Sequence, residues 1–457
     1  MNFAKGQPPM IQNLVDLSRK LARGRVSSRE LVEESFALID GAGDEGGRVF
    51  LTLYRDRALA GAGLVDQARA QGLDLPRFAG IPIAIKDLFD VAGEVTRAGS
   101  RVLDAHPPAK ADAAIVRRLR RAGFVIIGKN NMTEFAYSGL GVNAHFGTPR
   151  NPHDAKTPRI PGGSSSGAAV AVACGMVPAA IGTDTGGSCR IPAAFCSVIG
   201  FKPTAARVPK QGAIPLSRTL DCIGPFTTSV SCAAVLDDIL SGGQGEDVGS
   251  VSPGGLRIGV LEGYVTEAMD DAVGTAMQAL LTRLSGLGVR LTPVTIAELS
   301  DLPQINARGG LVGAEAHSWH RPLLETRAEY YDPWVLARFS AGQSQTADDY
   351  IRLLDQRARM QRLVDDRLAP FDALILPTVQ IVPPRLDDLA DSEVSNATNL
   401  LCLRNTAVGN FLDLPAISIP CQGAASLPVG AMLFGHRGGD RHLLAIARGL
   451  EQAIRGQ

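Results

Sequence analysis

The sequence predicts an α/β fold, a β-sheet covered by helices on both faces. Short apolar runs of strand length alternate with amphipathic stretches of helix length along most of the chain. The 457 residues are 45% hydrophobic and 20% charged, enough to bury a large core and too apolar for a disordered chain. No internal repeat and no long linker divides them.

Residues 10–72 read as helical. Ser27 and Ser28 precede RELVEESFALI, whose apolar spacing fits an amphipathic helix, and Ser28 is the expected N-cap. Gly80–Ile85 reads as a strand, Ala113–Ala122 as a helix, Phe124–Ile127 as a strand and Ala168–Ala173 as a helix. Leu256–Leu261, Ala373–Leu376, Ala416–Ile419 and Val429–Phe434 read as later strands, with helices at Ala268–Leu287 and Arg441–Ile454. Gly242–Gly255, rich in Gly and Ser, reads as a surface loop joining two halves of one domain.

Lys+Arg and Asp+Glu are both 46, so the formal charge is zero and no basic excess points to nucleic acid. The opening MNFAKGQPPM lacks an apolar signal core, and Gly167–Gly182 reads as a packed helix plus a strand, not a membrane span. The seven cysteines are scattered and include no CxxC pair, which argues against a disulfide framework and a zinc site and favours the cytoplasm.

Three fragments imitate known motifs. Gly123–Lys129 fits GxxxxGK, but its inner residues FVII make a strand, and Asn130 stands where a magnesium-binding Ser or Thr belongs. Gly139–Ala144 fits a dinucleotide fingerprint loosely and then runs into HFGTPRNP, which cannot open a helix. Gly163–Gly167 fits the GxSxG nucleophile elbow, yet the preceding NPHDAKTPRIPG is no strand. The downstream His436 and His442 stand in no recognisable triad context.

Three other fragments carry chemistry. In GIPIAIKD (80–87) Lys86 follows an apolar strand; alone it reads as a strand-end lysine reaching solvent, whereas burial would lower its pKa and make it a neutral base. In IPGGSSSG (160–167) three serines precede a packed segment rather than the polar residues that follow a flexible linker, and one of them suits a helix cap. In GTDTGGSCRIPAA (182–194) two glycines before Ser188 form either an ordinary turn or a nest of N–H groups able to hold an oxyanion.

Together, in this order, the three resemble the amidase signature family. Lys86 falls in its GIPxxxKD pattern, Ser164 on the first serine of GGSS(S/G)G, and Ser188 on the serine of DTGGSxRxPAA, 24 residues later. Flanking pieces match as well: GKNNMTEFAYSG (128–139), GTPRNPHD (147–154), GFKPTAARVPKQG (200–212) and TLDCIGP (219–225). The likeness is dense over about residues 75–240 and thinner at the ends, as in ALILPT (373–378) and LPVGAMLFG (427–435).

The resemblance implies a single large domain around a central mixed sheet. It comprises an N-terminal helical segment (about 10–72), a catalytic motif core (about 75–240) and a substrate-pocket half (about 256–457). It implies Ser188 as nucleophile, Ser164 as proton relay after a cis Gly163–Ser164 peptide, and Lys86 as base. The oxyanion hole maps to the N–H groups of Thr185, Gly186, Gly187 and Ser188. The substrate is a small amide, with no metal, cofactor, nucleic acid or membrane required, and a homodimer stays open. Arg190 resembles an arginine that faces a substrate carboxylate in some members, and an ion pair within the fold is its other reading.

YYDPWVLAR (330–338) resembles a stretch of allophanate hydrolases whose Tyr and Arg, here Tyr330 and Arg338, hold a carboxylate; a surface pair is the bland alternative. Those enzymes read DTAGS where this chain reads DTGGS (184–188), and they carry a long extra C-terminal domain, so a carboxylated amide other than allophanate is expected. The rivals are the glutaminase A subunit of a tRNA-dependent amidotransferase and a catalytically silent binding protein. GAIPLSRTLD (212–221) and the Glu315–Arg321 stretch look more like stand-alone amidases.

Overall fold

Runs such as PIAIK, ALILP and GAMLF have no polar face, so as strands they must be covered on both sides. In the computed structural model, which describes residues 13–423 and 426–455, they are. The strands are β1 (Phe50–Leu53), β2 (Pro82–Lys86), β3 (Val125–Asn130), β4 (Ala180–Asp184), β5 (Ile199–Lys202) and β6 (Cys222–Thr227). They continue with β7 (Arg257–Glu262), β8 (Arg290–Thr295), β9 (Ala373–Pro377), β10 (Ala416–Pro420) and β11 (Gly430–Phe434). One sheet holds all eleven in the order β1-β3-β2-β4-β6-β5-β10-β11-β9-β7-β8.

The sheet is mixed. β2 runs parallel to β3 and β4, and β7 parallel to β8 and β9. The other pairings are antiparallel, including β5 with β10, which joins the two halves of the chain. Helices cover both faces. Helices Ser166–Ala173 and Arg190–Cys196 pack on one, where Ala168, Ala169, Ala193 and Phe226 share a core. Val230–Ser241 and Asp440–Arg455 pack on the other, against Ile199, Phe201 and Ile417. The fold is thus one α/β domain, as expected.

Local departures from the sequence reading have local causes. Of the segment expected to be helical, 10–72, residues 10–12 lie outside the described residues, and the rest forms four helices, Leu14–Ala22, Ser28–Gly41, Asp44–Val49 and Arg55–Ala70, with β1 inserted between the last two as the sheet's edge. Ser27, not Ser28, is the N-cap, forming a capping box with Glu30. Ser28 is instead buried and its hydroxyl donates to Gly80 O at 2.8 Å. The strand expected at Phe124–Ile127 runs on to Asn130. Strands β5, β6 and β8 and the helices Gly310–Arg327, Pro333–Ala341, Ala347–Leu368 and Ser392–Phe411 were not foreseen. No helix among the described residues is long and apolar enough to cross a membrane.

Candidate active site

Lys86 ends β2 beside β4, and the sheet seals its side chain from water. Its Nζ donates to Ser164 Oγ at 2.7 Å and to Thr183 Oγ1, on β4, at 2.8 Å. Burial drives the amine's pKa down to about 7, against a smaller upward pull from neighbouring groups that include Asp221 and Asp184. The lysine therefore sits among hydroxyls, with no carboxylate hydrogen-bonded to it among the described residues.

Ser164 stands in the loop before helix Ser166–Ala173, and the Gly163–Ser164 peptide is cis. The GKNNMTEFAYSG segment cradles this loop. Thr133 N donates to Ser164 O at 3.0 Å, and Gly163 N to Gly139 O at 2.7 Å. A Cβ on Gly163 would meet the Gly141 backbone and Thr133, so only glycine lets these chains approach. The helix that follows, SGAAVAVA, is buried on every side; its small side chains let it lie close beneath the sheet.

Ser188 lies between β4 and helix Arg190–Cys196, 4% exposed. The structure joins Lys86 to Ser164 directly; no hydrogen bond joins Ser188 to either among the described residues. In the loop before it, the N–H groups of Thr185, Gly186, Gly187 and Ser188 have no hydrogen-bond acceptor among the described residues. The carbonyls on the other side of three of these peptides are anchored. Asn410 Nδ2 donates to Asp184 O at 3.1 Å. Thr406 Oγ1 donates to Gly186 O at 2.6 Å. Arg190 N and Ile191 N donate to Gly187 O at 2.8 and 2.7 Å. Gly187 has φ +139°, and a Cβ there would run into Thr406 Oγ1.

Two buried acids complete the frame. Asp221 accepts from Thr185 Oγ1 at 2.5 Å and from Leu216 N and Ser217 N; burial raises its pKa to about 6 despite these bonds. Asp184 accepts from Arg190 Nε and Nη2 at 3.0 and 2.8 Å, from Asn410 Nδ2 at 2.9 Å and from Cys189 N at 3.0 Å. Burial pushes its pKa up, but the Arg190 charge and these bonds outweigh burial and hold it at about 2.

The arginines separate here. Arg190 is fully buried, and beyond Asp184 it donates to Asn410 Oδ1 at 2.6 Å and to Met432 Sδ at 3.2 Å. Its donors are thus engaged inside the fold, in the ion pair that the second of its two sequence readings names. Arg338 is half-buried and donates to Tyr137 O at 2.6 Å and Asn396 Oδ1 at 3.1 Å, with no ion pair among the described residues. Tyr330, three residues before helix Pro333–Ala341, is 48% exposed.

Sequence reasoning missed Thr183, Asp221, Thr406 and Asn410. TLDCIGP marks Asp221, but no local signal marks the last two. Asn396, Asn399, Leu403, Thr406 and Asn410 form one stripe of helix Ser392–Phe411. The stripe runs from Arg338 through Ser138 and Gly139 to the Ser188 loop and Arg190.

This fold and this cluster are those of an amide-hydrolysing enzyme. The chain belongs to the amidase family, whose model matches residues 30–444. It is 35% identical over 459 residues to the 2-amino-5-chloromuconic acid deaminase of Comamonas testosteroni, covering 97% of each chain. It is 31% identical over 476 residues to the A subunit of the glutamyl-tRNA(Gln) amidotransferase of Koribacter versatilis, covering 96% of this chain and 98% of that one. A crystal structure of an amidase superposes with TM-score 0.88 at 33% identity, covering 96% of this chain and 99% of the other.

Proposed function

We propose that the protein hydrolyses the C–N bond of a small carboxamide or ureide through an acyl-enzyme on Ser188. The observation that carries this is a water-free Lys86 amine, 2.7 Å from Ser164 Oγ, with a pKa of about 7. Neutral Lys86 takes the proton of Ser164 while Ser164 takes that of Ser188, whose Oγ adds to the amide carbon. Four unspent N–H groups at 185–188 receive the resulting oxyanion. The proton returns from Lys86 through Ser164 to the leaving nitrogen, and the C–N bond breaks, releasing ammonia or an amine. Water enters by the same proton path, frees the acid and restores Ser188.

The substrate in this reading bears a carboxylate. A relative named for a muconic acid supports it, as does Arg338, a partly buried arginine without an acidic partner among the described residues. A second reading, the A subunit of a glutamyl-tRNA(Gln) amidotransferase, is favoured by the nearly full-length match to that protein. Its mark is a partner protein that co-purifies and consumes the ammonia.

Ser188→Ala tests the chemistry. Ammonia release from a panel of acidic and neutral amides is expected to fall by roughly six orders of magnitude for the best substrate. Fluorophosphonate labelling should vanish, with melting unchanged. Near-normal turnover in that variant would sink the mechanism.

A further inference from the structure

We infer that Thr406 is a positioning residue whose hydroxyl fixes the Gly186–Gly187 peptide so that the Gly187 N–H faces the reacting carbonyl oxygen. The inference deepens the acyl-enzyme reading and rests on it. A trans peptide carries its C=O and N–H on opposite sides, so an anchor on Gly186 O sets the direction of Gly187 N–H. Thr406 Oγ1 is that anchor at 2.6 Å. The same hydroxyl lies 3.2 Å from Leu403 O within its own helix, but it has one proton, and the shorter bond takes it.

Two of the other three peptides have holds of their own. Asp184 O is bonded by Asn410, and Gly187 O by two N–H groups of helix Arg190–Cys196. Gly186 O depends on Thr406 alone among the described residues. The peptide it governs lies between two glycines, whose backbone rotates more freely than any other. Thr406 is fully buried, so water does not stand ready to replace its hydroxyl. A Cβ at Gly187 would strike this same Oγ1, so the glycine and the threonine are fitted to each other. Without the hydroxyl the peptide can turn, and one oxyanion donor turns with it. Nothing places Thr406 on the substrate, so its loss should change kcat rather than KM.

The test is Thr406→Val, which keeps the shape and removes the donor. The kcat for a small amide should fall about 10- to 100-fold, part of the loss seen when an oxyanion donor is deleted outright. KM should stay within roughly twofold. The rate of fluorophosphonate labelling at Ser188 should fall in parallel, because the phosphoryl oxygen takes the oxyanion's place. Thr406→Ser should restore both rates. If Thr406→Val crowds the loop and melts early, Thr406→Ala removes the hydroxyl without crowding and carries the same expectation. Wild-type kcat in the folded Val or Ala variant overturns the inference. Equal loss in the Ser and Val variants also overturns it, because the side chain's shape would then matter rather than its hydroxyl. Failure of the acyl-enzyme reading would show separately, as turnover surviving Ser188→Ala.

Discussion

At Lys86 the fold takes water from an amine and offers it two hydroxyls, and the consequence is measurable in two ways. The proposed mechanism requires the neutral amine, so kcat/KM should rise about tenfold per pH unit below about 7 and level off above it. Lys86→Arg should be inactive at every pH, because guanidinium keeps its proton; an active arginine variant would remove lysine as the base. The same depression affects stability. Between about 7 and the ordinary 10.5, the unfolded chain binds a proton that the folded chain does not. Stability therefore rises with pH across that window, and the full cost of the buried lysine is present below it. Lys86→Met should accordingly melt above wild type near neutral pH, and its advantage should shrink toward pH 10. A variant that melts below wild type at all pH values would mean that the lysine's hydrogen bonds outweigh its desolvation.

At the scale of elements, Arg190 clamps three pieces, namely the end of β4 at Asp184, its own helix and helix Ser392–Phe411 through Asn410. Removing one member of a buried ion pair leaves the other uncompensated, at about 3–5 kcal/mol. Arg190→Met should lower stability by that order and depress turnover of acidic and neutral amides alike. Arg338→Ala should spare neutral amides and weaken kcat/KM for acidic ones by about one to two orders of magnitude. Equal losses on both substrates at Arg338 would make it structural too. Elements of one kind were readable in advance. β2, β7, β9, β10 and β11 are short apolar runs between turns, and Lys86, Ser164 and Ser188 stand in motifs whose glycines betray an unusual backbone. Helix Ser392–Phe411 was not readable, for a physical reason. It buries the polar Ser395, Asn399, Asn405, Thr406 and Asn410, so its sequence lacks the apolar stripe that announces a packed helix. β8, RLTPVT, is an exposed edge strand with a proline and few apolar residues, and it escaped for the same lack of contrast. Ser27 and Ser28 differ only in which of two adjacent hydroxyls meets Glu30 N, a choice made by the packing of Ser28 on Gly80.

For the whole molecule, the eleven-strand sheet predicts a gradient of protection. β4, β6 and β5 lie inside it, buried along their length, whereas β8 closes one edge and is mostly exposed. In native-state hydrogen exchange, β8 amides should open first and those of β4 last; uniform protection across the sheet would contradict this order. The strand order also bears on when the molecule becomes reactive. β10 and β11, among the last segments of the chain, occupy the interior between β5 and β9, and Thr406 and Asn410 reach the Ser188 loop from just before them. A ribosome that has already delivered Lys86, Ser164 and Ser188 has yet to deliver these pieces. The half-made polypeptide thus carries every side chain that the proposed mechanism uses for proton transfer and attack, with the frame around them still missing. On the proposed mechanism, an amide hydrolase assembled in this order would be inert while the nearest amides are those of its own emerging backbone.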